Sequence, residues 1–310
     1  MDPLLAAAVA LVASTLNAGT PILLTAIGVL VVERSGVVNL GVEGMMLVTA
    51  VVAFAVVHGS GSWMLGFGVA LVVGALLGAL FGAFALGLMT NQYATGLALA
   101  LFGAGLSAFL GLPYAGQNLP GRDADGIALL RDLPVLGPML FSLHWLAYVA
   151  AALAVVAAWF LFRTRAGLVL RAVGESPESA HALGYPVRLI RLGALMFGGA
   201  CAGLAGAYLS TVYTPLWSEG MTAGRGWIAL AVVVFATWRP ARAVLGAYLF
   251  GGVTMLQLYL QGQGVQLSPQ LMSMTPYLAT IVVLALISRN PRWIRLNMPA
   301  SLGRPFNPNA

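Results

Sequence analysis

Residues 64–88, MLGFGVALVVGALLGALFGAFALGL, run for twenty-five positions without one charged side chain. About 20 apolar residues in a helix cross the roughly 30 Å hydrocarbon layer of a membrane. Lipid offers no hydrogen bonds, so a crossing segment has to satisfy its own backbone, as a helix does. Eight further apolar runs can be read at 4–32, 36–57, 93–112, 142–162, 192–213, 224–238, 243–261 and 271–288. With 60% hydrophobic and only 8% charged residues, the chain has far too few charges for a soluble surface. The expected fold is an all-α polytopic membrane protein of about nine transmembrane helices, one domain over 1–310. The first run lacks a basic flank and is longer than a cleavable signal needs, so it is expected to be a retained span.

Nine alternating spans place 33–35, 89–92, 163–191, 239–242 and 289–310 on one face, with the N-terminus and the 113–141 loop on the other. The chain contains no lysine, and twelve of its fifteen arginines fall on the first face. The exceptions are Arg122, Arg131 and Arg225. Arginine accumulates on the cytoplasmic side, so the N-terminus is expected outside and the C-terminus in the cytoplasm.

Two spans are irregular. The run 224–238 is short, and 36–57 opens with SGVVNLGVEG, so one or both are expected to be broken or re-entrant segments lining a cavity. SGVVNLGVEGMMLVTAVVAF (35–54) has a weak echo in SEGMTAGRGWIALAVVVF (218–235), and the two run in opposite directions. An inverted repeat and chance likeness of Gly/Val-rich spans explain this equally well. Polar groups in or near spans are costly in lipid and tend to face an internal path, which singles out Asn17, Asn39, Glu43, Asn91, Gln92, Glu219 and Arg225. Each has a structural alternative: Asn39 as a helix cap, Glu43 paired with Arg34, Glu219 paired with Arg225. Small residues in GALLGALFGAFALG (74–87) and GGACAGLAGAYLS (198–210) permit close helix contact. Cys201, the single cysteine, reads as a packing residue and excludes an internal disulfide.

The polar stretch RAVGESPESAHALGYPVRLIR (171–191) stands out from this background. Ser176, Pro177 and Glu178 have the order of a helix start: a hydroxyl cap, a proline whose missing N–H costs nothing, and an acid at the positive end. Gly184 and Pro186 supply the stop, which predicts a helix over 177–183. So short a helix needs something to hold it, either the protein's own helix ends or a docking partner.

ESAHALG (178–184) resembles the Glu-Ala-Ala-x-x-x-Gly pattern of permease subunits of ATP-binding-cassette (ABC) importers, with Ser179 in place of the first alanine. GVVNLGVEGMMLVTA (36–50), RAVGESPESAHALG (171–184) and GMTAGRGWIALAVVVFATWRP (220–240) together resemble the branch serving ribose-type sugars, branched-chain amino acids and nucleosides, most of all its nucleoside-type permeases. The likeness extends from about residue 15 to 290. It implies a bacterial plasma-membrane subunit working with a second, related permease, an ABC ATPase carrying the ATP and Mg, and an external solute-binding protein. It also implies that 163–191 is the coupling loop: Glu178, Ser179, Ala180, His181 and Gly184 would transmit motion, with Arg171 and Arg188 holding the loop's ends.

No cofactor or nucleic acid is expected on this chain. A phosphate-binding loop needs a lysine, and none exists here, so ATP is hydrolysed by another polypeptide. His58, His144 and His181 are scattered without metalloprotease spacing, and no nucleophile elbow occurs, which argues against an intramembrane enzyme. Simple sugars are the alternative solute class. An ion-coupled secondary transporter is the alternative machine, but it has no use for a capped docking helix.

Overall fold

The computed structural model describes residues 3–119, 126, 130–263, 297–307 and isolated positions between 274 and 285. Among these every regular element is helical. The helices are α1 (Pro3–Arg34), α2 (Val42–Ser60), α3 (Trp63–Gly82), α4 (Gln92–Gly111), α5 (Trp145–Arg163), α6 (Arg165–Glu175), α7 (Pro177–Ala182), α8 (Val187–Tyr208), α9 (Arg225–Phe235) and α10 (Pro240–Gly262). π-Helical turns extend α3 over Ala83–Gly87 and α8 over Leu209–Tyr213.

Half of the ten helix starts follow from a local side-chain cap. Ser62, Asn91, His144, Thr164 and Ser176 each accept a bond from a backbone N–H in the first turn of α3, α4, α5, α6 and α7. Helices α2, α8, α9 and α10 have no such local cap.

Among the described residues seven helices are long and apolar enough to cross a membrane, where about nine spans were expected. The reason for one difference is length. The apolar run 224–238 forms a helix of 11 residues, about 16 Å of rise, which is half the hydrocarbon thickness. The run 271–288 lies almost wholly outside the described residues.

Helices α1, α2 and α8 are buried over most of their length, whereas α3, α4, α5 and α10 expose most of theirs. Leu76, Leu101, Phe109, Val155 and Leu245 lie on these open flanks, as lipid-facing side chains should. The tightest seam joins α3 to α8. A Cβ on Gly74 would come within 2.2 Å of the Gly199 carbonyl, and one on Gly78 within 2.3 Å of the Leu195 carbonyl. The two backbones touch because these positions carry no side chain, which is how small residues drive helix association in lipid. Cys201 is buried at the α1–α8 contact beside Gly28.

The loops sort to two ends. Ser35–Val38, Asn91–Tyr93, α6, α7 and Asn297–Phe306 meet at one, here the α7 face. Tyr114–Leu119, His144 and Leu216–Trp217 gather at the other, where Ala115 and Asn118 pair with Trp217 and Leu216.

Candidate functional site

The expected polar approaches meet at a carboxylate. Residues 36–41 run inward from the α7 face and start α2, and 214–224 run inward from the opposite face and start α9. Glu43, in the first turn of α2, accepts from Thr222 Oγ1 at 2.6 Å, Gly224 N at 2.9 Å and Gly226 N at 2.6 Å. The acid therefore replaces the cap that α9 lacks, and the positive ends of two helices converge on it. Gly44 lies against Leu99 and Ala100 in the middle of α4, which puts this joint well inside the bundle.

Glycine is required on the far side of the joint. Gly224 adopts φ +77°, and a Cβ on Gly226 would come within 2.6 Å of Glu43 Oε2. Arg225 is half-buried between them. Its guanidinium turns back onto the carbonyls of Met221 and Thr222, both at 3.2 Å, and lies 5.3 Å from the centre of the Tyr213 ring.

The other polar candidates separate. Asn39 is buried, accepts from Gly41 N at 2.9 Å and so shapes the turn into α2. Asn17 accepts from the Tyr208 hydroxyl, next to the carbonyl that Pro21 leaves without its helical partner. Asn91 caps α4, and Gln92 accepts from Val38 N at 2.9 Å. Two alternative pairings do not form: Glu43 bonds to 222–226 instead of Arg34, and Glu219 is exposed with no ion pair to Arg225.

Helix α7 spans Pro177–Ala182, one residue shorter than expected. Ser176 Oγ accepts from Ser179 N at 3.3 Å, and Gly184 has the left-handed φ of +85° that ends the helix. Ala180 and Pro177 face inward, Ala180 against Val173, Val187 and Phe306. Glu178, Ser179, His181 and Gly184 face outward with Tyr185, Leu189 and Leu183, the last 78% exposed. At the loop's ends Arg188 is exposed, and Arg171 lies half-buried with its guanidinium 5.2 Å from the Phe162 ring centre.

Sequence reasoning missed the residues that hold the far end of α9. Trp238, with left-handed φ like its neighbour Thr237, donates its indole N–H to Glu33 at 2.6 Å. Its carbonyl accepts from Arg34 Nε and Nη2 at 3.2 and 2.9 Å. Arg191, wholly buried, was counted only as a topological charge, yet it donates to Ser35 O, Ser301 Oγ and Arg304 O. An acid and a base side by side at the end of the first apolar run, Glu33 and Arg34, were the available signal.

Seven long apolar helices among the described residues, with a half-length helix capped between them by a distant acid, give the chain the architecture of a multi-pass membrane protein. The comparisons make that specific: the chain belongs to the family described as branched-chain amino acid transport system / permease component, which matches residues 11–287. The chain is 41% identical, over 97% of its length and 98% of the relative's, to TsgC13 of Haloferax volcanii, named as a glucose ABC transporter permease protein. The nucleoside ABC transporter permease protein NupC of Lactococcus lactis is 33% identical over 89% of this chain and 91% of its own. The guanosine ABC transporter permease protein NupQ of Bacillus subtilis is 32% identical over 88% and 90%. No solved structure matches the chain. The chain is thus a multi-pass transport component of the membrane, not an enzyme.

Proposed function

We propose that this permease subunit forms the solute path of an ATP-driven importer of nucleosides or related purine and pyrimidine compounds. The observation that carries the reading is the joint of Glu43 with 222–226, where two polar approaches from opposite faces meet inside the bundle. Such a joint holds α2 and α9 as one unit between the two approaches, so that alternating access can open either approach around it. Asn39, Glu43, Arg225 and Glu219 line the approaches in this reading, while Asn17 and Asn91 hold helices in place. The solute class comes from the nucleoside- and guanosine-named relatives.

The α7 face is the cytoplasmic one, with the N-terminus external, because the arginines of the loops collect there. The outward side of α7, with Glu178, Ser179, His181 and Gly184, docks on the ATPase, and Arg171 and Arg188 steady the loop's ends. A second, related permease completes the path and an external binding protein delivers solute.

Simple sugars are the second reading, favoured by the glucose-named relative at 41% identity. A reconstituted complex with its ATPase and binding protein decides between them. Uptake of labelled guanosine or uridine that needs ATP and ignores excess glucose is the expected result. Uptake of labelled glucose instead would select the sugar reading, and transport under an ion gradient without any ATPase would overturn both.

A further inference from the structure

The segment 297–307 lies across the α7 face and is bonded on both sides. At one end Phe306, 7% exposed, packs with Ala180 of α7, Val173 and Val187, and its ring meets His181 edge-on at 5.6 Å. At the other end the segment holds the approach that leads to Glu43. Gly303 N donates to Gly36 O at 3.1 Å. Arg304 O accepts from Gln92 Nε2 at 3.5 Å, and Gln92 Oε1 in turn accepts from Val38 N at 2.9 Å. Arg191 ties the knot, donating to Ser35 O at 3.0 Å, Ser301 Oγ at 3.0 Å and Arg304 O at 3.4 Å.

There is no slack in this knot. A Cβ on Gly36 would come within 2.5 Å of Ser301 Oγ, and one on Gly303 within 2.7 Å of the Tyr93 hydroxyl. Close-packed contacts of this kind pass on a displacement instead of absorbing it.

We infer that 297–307 is a transmission strap, with Phe306 and Arg191 as positioning residues that carry a movement of α7 to residues 35–41 and so to the Glu43 joint. This rests on the reading of α7 as the element that docks on an ATPase. The competing route runs through α6 alone, because Gly174 also lies against the Arg34 carbonyl and bonds Ser301. Phe306 lies outside that Gly174–Arg34 route and meets α6 at Val173.

Hydrogen–deuterium exchange on the complete transporter in nanodiscs, with and without ATP plus vanadate, separates these possibilities. In the wild type the nucleotide should change exchange at both 177–184 and 36–44. In Phe306→Ala the change at 177–184 should persist while that at 36–44 falls by about threefold or more, and Phe306→Leu should restore it. A wild-type-sized change at 36–44 in Phe306→Ala would assign transmission to α6 and overturn the strap, as would a wild type that responds only at 177–184. Loss of the ATPase from both variants would reduce Phe306 to a packing role and equally overturn it. A wild-type complex that holds no ATPase would instead sink the functional reading beneath it.

Discussion

Helices α7 and α9 both begin at a capped N-terminus, but the caps come from opposite distances. Ser176 caps α7 from three residues away, at an exposed edge. Glu43 caps α9 from 179 to 183 residues away, buried and with three donors on one carboxylate. A cap in water competes with solvent and contributes little; a cap inside a bundle has no substitute if it is lost. The first can be remade locally whenever α7 moves, and the second binds α2 and α9 into one unit.

Substitutions at four positions test that contrast, in order of falling effect on stability. Glu43→Ala leaves the Thr222 hydroxyl and two backbone N–H groups unpaired and should cost about 3 kcal/mol or more, given about 1–3 per orphaned group. Thermal unfolding in detergent measures it, and Glu43→Gln, which keeps an acceptor, should fall between the two; equal Tm values for all three would dissolve the contrast. Gly226→Ala pushes a methyl against Glu43 and should cost about 1–3 kcal/mol by overpacking. Ser176→Ala should remove about 1 kcal/mol from α7 alone, visible as faster amide exchange at 177–182 with the global Tm unchanged. Glu178→Arg, on the exposed side of α7, should alter stability by less than about 0.5 kcal/mol. Its expected effect is loss of the ATPase from affinity-purified complexes, so unchanged recovery would remove α7's outward side from the docking surface.

What was legible in the sequence follows the same division between near and far. Seven spans were placed to within about six residues at each end, since apolar run length is a local property; the expected 64–88 is Trp63–Gly87 in the structure, while the expected 36–57 is Val42–Ser60. Helix α7 was readable because Ser176, Pro177 and Gly184 act within one or two turns. The irregularity of 36–57 and 224–238 showed in composition, but the partner of Glu43 did not, and Arg34 was a reasonable choice by charge. The structure satisfies the acid with two backbone amides and the Thr222 hydroxyl, and neither kind of donor carries a charge that would mark it in the sequence. The actual partners of Arg34 and Arg191 were hidden for the mirror-image reason: their guanidiniums bond largely to main-chain carbonyls, so no matching carboxylate advertises them.

The half-length of α9 also bears on how the chain is made. A helix of 11 residues cannot partition into a membrane as an independent span, and its first amides would meet hydrocarbon unpaired. Its insertion has to wait for α2, synthesised some 180 residues earlier, to present Glu43. Integration of α9 is therefore expected to depend on α2 being in place. Glycosylation mapping of nascent chains should find 214–239 failing to integrate when Glu43 is replaced by Ala, while the spans before it insert normally.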